Sequence, residues 1–171
     1  MTASTGITRT EVLDLGEADL AEIHDLRLRA ADFFVEVDDP PPTPASFQAD
    51  LDDLPDGFTR VDEVIYRAYR DGRLAGYAEV LRRFAHEGQW MIGIVLVDVD
   101  MRSRGVGRRI VAAIADDARA AGISSLAAGV IALRERSLAF WHREGFTTQV
   151  RRREITIGDV QTEVVRLERR V

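Results

Sequence analysis

Trp90 to Val99 (WMIGIVLVDV) is almost continuously apolar. The run is far too short to cross a membrane, which takes about 20 apolar residues. A strand with one wet face would alternate apolar and polar residues, so this pattern predicts a central strand covered on both faces. The chain must therefore build a sheet with packed layers above and below it. A polar, Gly-containing loop from Asp100 to Gly107 follows, and then a helix over Arg108–Ala121. Ile110, Val111, Ile114, Ala115 and Ala118 form the apolar stripe of that helix, and Gly122 closes it.

The remaining elements arrange themselves around this unit. Thr8–Leu15 alternates weakly and predicts a first strand, ended by Gly16. Glu17–Phe34 carries Leu20, Ile23, Leu26, Leu28 and Ala31 at helical spacing. The run Pro40-Pro41-Pro42 stops that helix, because proline removes the donors and forces extended backbone. A short helix is expected over Pro44–Leu54. Val64–Arg70 and Leu74–Leu81, joined by Asp71-Gly72, predict a hairpin with a tight turn. Ser125–Ile131 is a short strand, Leu133–Glu144 a helix ended by Gly145, and Phe146–Ile157 with Val160–Leu167 a final hairpin. The order β-α-α-β-β-β-α-β-α-β-β predicts one domain over residues 1–171, an α/β (α+β) mixed sheet with helices on both faces.

Composition narrows the chemistry. All 23 basic residues are Arg, so a P-loop lysine and a Schiff-base lysine are excluded. The absence of Cys excludes disulfides, thiol nucleophiles and thiolate-bound metal. No His/Asp/Glu set has metal-ligand spacing, and no metal is expected. Met1–Thr10 lacks the basic and apolar regions of a signal peptide, so the expected location is cytoplasmic, with no membrane partner. Residues 1–63 hold 16 acids against 4 Arg, and residues 101–171 hold 14 Arg against 8 acids. Either the two halves meet ligands of opposite charge, or the surface is simply unevenly charged. Arg151-Arg152-Arg153 alternates between strand faces in a chain of net charge -6, so no nucleic-acid partner is expected.

The chemistry is concentrated after the apolar strand, in Val97-Asp98-Val99-Asp100-Met101-Arg102-Ser103-Arg104-Gly105-Val106-Gly107-Arg108. The first N–H groups of a helix lack intrahelical partners and its dipole favours an anion there. Gly105 and Gly107 allow close backbone approach, and Arg102, Arg104 and Arg108 add positive charge. A pyrophosphate fits. The dinucleotide fingerprint does not, because Ile110 stands where its third glycine belongs. A G-x-G alone carries little weight; an ordinary turn before a helix is the alternative.

In its context this stretch resembles the GNAT N-acyltransferases, whose acetyl-CoA loop reads [Gln/Arg]-x-x-Gly-x-[Gly/Ala] within V-x-P-x-x-R-G-x-G-x-G. Val99 stands for the common Pro and Ser103 for a common Gly. A second family element is an aromatic residue ahead of a Gly-Phe pair, here Phe140-Trp141-His142-Arg143-Glu144-Gly145-Phe146. The resemblance implies a mixed, mostly antiparallel seven-stranded sheet splayed between strands 4 and 5, and acetyl-CoA as co-substrate. It implies that backbone groups of Val97 and Val99 pair with the pantetheine arm, and that amides from Arg102 through Ser103, Arg104, Gly105, Val106 and Gly107 to Arg108 hold the pyrophosphate. An Arg at 102, 104, 108 or 143 would reach the 3′-phosphate, and an amide near Val97 would polarise the thioester carbonyl. Trp141 stands where many members have a Tyr that protonates the leaving thiolate. An indole N–H does not titrate as an acid, so Trp141 is read as a wall of the cofactor channel, against plain core packing.

An acceptor ammonium must lose a proton before attack. Met91 occupies the position where some members carry a Glu and cannot serve. Glu79, between Ala78 and Val80 on the third predicted strand, is the candidate base; an exposed edge-strand Glu is the alternative. His86 and Glu87 are weaker candidates. Phe34, Glu36 and Asp38, with Asp39, lie where the resemblance places the acceptor wall and suit a cationic small-molecule amine, the chain showing no further domain to grip a macromolecule. The other class considered is a non-catalytic or regulatory CoA-binding module. A homodimer is a further possibility by analogy with the family.

Overall fold

The computed structural model describes residues 5–35, 42–157 and 159–171. Its elements are β1 (Thr5–Glu11), α1 (Glu17–Arg29), α2 (Asp32–Val35), α3 (Pro44–Asp52), β2 (Glu63–Arg70), β3 (Arg73–Leu81), β4 (Gln89–Val97), α4 (Val106–Ala120), β5 (Ser125–Ile131), α5 (Glu135–Arg143), β6 (Thr148–Ile157) and β7 (Val160–Arg170). They form one seven-stranded sheet in the order β1-β2-β3-β4-β5-β7-β6. Only the β4–β5 pair is parallel; every other pair is antiparallel. This is the expected mixed sheet, with the apolar run of β4 at its centre.

Strand alternation divides the interior in two. Val64, Tyr66 and Ala68 of β2, Ala78 and Val80 of β3 and Ile92 of β4 pack with Ile110, Val111 and Ile114 of α4 and with Trp141 and Phe146. Each such aliphatic side chain is worth roughly 1.5–3 kcal/mol when fully buried. On the opposite face Ile65, Tyr77 and Leu96 pack with Ile23 and Leu26 of α1, Phe34, and Phe47 and Leu51 of α3. Gly76 permits the close approach of α4. A Cβ there would lie 2.9 Å from the Leu96 carbonyl oxygen and 3.1 Å from Val106 Cγ1.

Several boundaries differ from the sequence reading, the ends of the first strand and the first helix most of all. The first strand lies earlier, over Thr5–Glu11, and a 3-10 turn takes Val12–Asp14. The first helix ends at Arg29 instead of running to Phe34. The chain tightens there, with Phe33 N–H bonded to the Ala30 carbonyl at 3.0 Å, and α2 follows. No breaker residue marks this point; the break lets Phe34 turn into the core beside Phe47.

One departure from regularity shapes the sheet. In the β3–β4 ladder Glu79 stands opposite Ile94 and Val80 opposite Ile92, so Gly93 is an extra residue, a bulge. The β4–β5 ladder runs from Gln89–Ser125 to Ile92–Ala128 and stops at that bulge. Beyond it β4 remains paired to β3 as far as Val97, while its other edge is open. The splay expected between strands 4 and 5 is therefore present and begins at Gly93.

Candidate active site

The turn after β4 is held from below. Asp98 is 1 % exposed and ion-paired with Arg29 and, at 3.4 Å, with Arg73. Its other carboxylate oxygen accepts the Asp100 N–H at 3.0 Å, which turns the chain into a 3-10 turn over Val99–Met101. Val99 is consequently off the strand and exposed at 50 %, so the strand-like pairing expected of it does not extend past Val97.

Ser103 and Gly105 take left-handed φ values of 60° and 81°, and α4 starts at Val106. The first helical bond runs from Arg109 N–H to the Gly105 carbonyl at 3.1 Å. The amides of Val106, Gly107 and Arg108 precede it and face the helix mouth without intrahelical partners. A Cβ on Gly105 would meet nothing within 4 Å, so the space above this backbone is open. Gly107 has a different role from the one expected. A Cβ there would lie 3.2 Å from the Phe140 ring, so its missing side chain makes room for α5 to pack against α4.

The arginines divide. Arg104, Arg108 and Arg143 are all exposed, the first two at the helix mouth. Arg102 instead points back: its guanidinium grips Asp32 of α2 at 2.5 and 2.8 Å, and its Nε–H donates to the Val97 carbonyl at 3.2 Å. Trp141 is 6 % exposed and stacks edge-on against Phe146 at 4.8 Å and Phe140 at 5.2 Å. This is core packing, which was the alternative to its place as a channel wall.

Glu79 lies two residues from the end of β3, in the interior of the sheet, opposite Ile94 in the open half of β4. The exposed edge-strand alternative therefore does not describe it. The residue is half-buried, and its Oε1 is shielded without a hydrogen-bond partner. Burial pushes its carboxyl up to about 7, against the pull of the Arg27 cation and Tyr77. Arg27 is buried, ion-paired with Asp50, and donates to the Tyr77 hydroxyl at 3.0 Å. Its guanidinium lies 4.7 Å from the Phe34 ring centroid and 4.9 Å from that of Phe47. Phe34 thus packs on the Arg27 guanidinium and in the core with Tyr77. Glu36, Asp38 and Asp39 lie outside the described residues. Met91 stands opposite Leu81, and a Cβ on Gly129 would come 3.1 Å from Met91 Cε. His86 and Glu87 sit exposed in the β3–β4 loop, where His86 Nδ1 accepts the Gly88 N–H at 3.2 Å.

The sequence reading missed Arg27, Asp32 and Glu63. Arg27 and Asp32 look like ordinary helix-surface charges in the sequence. Glu63 follows Asp62 and reads as the tail of an acidic loop, although Glu63, Ile65, Arg67 and Tyr69 share one strand face. Among the described residues no group of three or more His, Asp and Glu could hold a metal, and no helix is long and apolar enough to cross a membrane.

A mixed sheet opened between two parallel strands, with a helix N-terminus at its mouth, is the architecture of an acyltransferase. Three solved structures share it. An acetyltransferase from Thermus thermophilus superposes with a TM-score of 0.73 at 16% identity, over 98% of this chain and 97% of that one. The ribosomal-protein-S18-alanine N-acetyltransferase of Escherichia coli gives 0.70 at 16% identity, over 97% and 94%. Nourseothricin acetyltransferase gives 0.57 at 23% identity, over 64% and 65%. No curated protein sequence matches the chain. The sequence profile of the acetyltransferase (GNAT) family matches residues 21–146, and the chain belongs to that family.

Proposed function

We propose that this acetyltransferase moves an acetyl group from acetyl-CoA to a primary amine of a small molecule, by direct attack within a ternary complex. The observation that carries this reading is Glu79: an interior carboxyl with one unpartnered oxygen, opposite the open half of β4. A carboxyl that ionises near neutrality is suited to take a proton from an ammonium at physiological pH. The N–H bond breaks as the O–H bond forms on Glu79, the freed lone pair bonds to the acyl carbon, and the C–S bond breaks with its electron pair going to sulfur, so that CoA leaves as a thiolate that water protonates.

Acetyl-CoA supplies the acyl group activated as a thioester. The residues present fit such a ligand: three amides without intrahelical partners at α4, open space above Gly105 and the exposed Arg104 and Arg108 for its phosphates. The open edge of β4 from Gly93 to Val97 takes the pantetheine arm, and an amide near Val97 polarises the carbonyl. Arg102 is committed to Asp32 and Val97, which leaves Arg104, Arg108 or Arg143 for the 3′-phosphate. The half-buried position of Glu79 suits a slender amine terminus, and Asp50 nearby favours a cation. One fold neighbour is named for a ribosomal-protein acceptor and another for nourseothricin, so the acceptor class is set by assay.

Calorimetry with acetyl-CoA comes first, on the wild type and on Gly105→Trp, whose side chain fills the open space above the helix mouth. Binding by the wild type alone is expected; a wild type that does not bind refutes the reading. Thiol release with a panel of small amines and of peptides bearing N-terminal alanine then finds the acceptor, and Glu79→Gln should lower kcat by roughly 10²–10⁴-fold. A second reading, a CoA-binding module without turnover, is favoured by Trp141 in the core and Met91 at the family's base position. Tight binding with no thiol release across the panel selects it.

A further inference from the structure

The sheet face under α1 and α3 carries a second interior carboxylate that the transfer step leaves unused. Glu63 opens β2 and is 5 % exposed, and its Oε2 is shielded without a hydrogen-bond partner. Such an oxygen is expensive to keep charged and far cheaper to keep protonated. Register fixes where it points. Ile65 stands opposite Glu79 and Glu63 opposite Leu81, so the two glutamates leave the same face as diagonal neighbours. Backbone positions related this way are about 7–8 Å apart, within reach of long side chains.

Neither glutamate has a cation of its own. Asp52 and Arg60 stand near Glu63, but Arg60 Nε–H donates to Asp52 at 2.8 Å. Arg27, Asp50 and Tyr77 face Glu79, and Arg27 is engaged by both of the others. Asp62, next to Glu63 in the chain, turns away to Arg83. Farther across the face Arg67 is held by Asp19, and Arg166 lies 3.5 Å from Glu168.

We infer that Glu63 is a positioning residue that forms a coupled carboxyl pair with Glu79, the two sharing one proton across the β2–β3 ladder. Two carboxylates in a poorly solvated site cannot both ionise readily, so their protons leave in two separated steps. Arg27 and Tyr77 favour ionisation of Glu79, so Glu79 loses its proton first and its charge keeps the proton of Glu63 in place. When Glu79 takes a proton from the acceptor ammonium, both carboxyls are neutral. Glu79, which ionises first, then passes that proton to water while Glu63 keeps its own. One proton enters from nitrogen, one leaves, and the pair returns to a single negative charge on Glu79.

The pair rests on Glu79 being the base, and the test separates the two. Site-resolved carbon NMR of the glutamate carboxyls is followed against pH in the wild type and in Glu79→Gln, without substrate. The pH profile of kcat, and KM for acetyl-CoA, are measured in the wild type, Glu63→Gln and Glu79→Gln. In Glu79→Gln the Glu63 signal should titrate at lower pH, by about one unit or more. In Glu63→Gln the acid limb of kcat and KM for acetyl-CoA should both stay fixed, because Glu79 ionises beside a neutral group in either enzyme. Identical Glu63 titration in the wild type and Glu79→Gln overturns the pair. An acid limb moved to lower pH in Glu63→Gln beside an inactive Glu79→Gln overturns this order of ionisation and leaves the base standing. A Glu79→Gln enzyme with the wild-type rate removes the base, and the role given to Glu63 with it.

Discussion

Arg29, the last residue of α1, forms an ion pair with Asp98, the first residue after β4. The same guanidinium donates to the Leu74 carbonyl at 3.1 Å and to Asp25 at 3.0 Å. One side chain therefore ties the end of the first helix to the start of β3 and to the turn that leads into the glycine loop before α4.

Asp98→Ala should be among the most damaging single changes. It leaves Arg29 without its main partner and the Asp100 N–H uncapped at a site 1 % exposed. Removing one member of a buried pair costs about 3–5 kcal/mol, read from the urea midpoint. A loss below about 1 kcal/mol would mean the pair is solvated like a surface bridge.

Gly76→Ala and Gly107→Ala separate two kinds of glycine. At Gly76 the added Cβ strikes the Leu96 carbonyl oxygen at 2.9 Å, and backbone at the centre of a sheet cannot retreat. The expected loss is about 1–3 kcal/mol. At Gly107 the added Cβ meets the half-buried Phe140 ring at 3.2 Å, which can move, so the loss should be smaller. Equal losses would contradict this.

Gly105→Val tests the loop itself. A β-branched residue at φ 81° is strained by about 1–2 kcal/mol, although no neighbour obstructs it. The methyl groups occupy the open space above the helix mouth. Acetyl-CoA affinity should fall about tenfold, equivalent to about 1.4 kcal/mol, beyond any effect on folding. Calorimetry on folded variant checks it.

Glu63→Gln should stabilise the chain in a pH-dependent way. Burial, reinforced by the charge of Glu79, pushes the Glu63 carboxyl from its ordinary 4.5 up to about 7. Between these values the folded chain holds a proton that the unfolded chain has released, so wild-type stability falls as pH rises through the window. The amide carries no such penalty. The variant should gain about 1–3 kcal/mol on the wild type as pH rises from 4.5 to about 7. A pH-independent difference between the two denaturation series would show that Glu63 titrates normally.

Much of this arrangement is legible before folding. The apolar run from Trp90 to Val99 names the central strand, and Gly105 followed by the stripe of Ile110 and Ile114 names the helix that follows the glycine loop. Those signals are local, a few residues of periodicity and one punctuation mark. Glu79 was legible as an anomaly, a carboxylate between apolar neighbours. Glu63 was not, because its burial depends on the packing of separate elements over one sheet face, which no local pattern records. Arg102 illustrates the opposite error: adjacency to a glycine loop suggested phosphate, yet its guanidinium is turned toward Asp32 of α2. Sequence shows which charges are near in the chain, and the fold decides which are near in space.

The bulge at Gly93 has one more consequence. Bare N–H and C=O groups along a strand normally invite another sheet to dock, which is how edge strands promote aggregation. The bare stretch of β4 is walled by β3 on one side and by the diverging β5 on the other, in the middle of the sheet rather than at its rim. A second protein would have to bring a strand with its own flanks, and those have nowhere to go. Only a single thin chain can pair with this stretch, so the fold keeps the binding power of a sheet edge while remaining closed to the partners that make such edges dangerous.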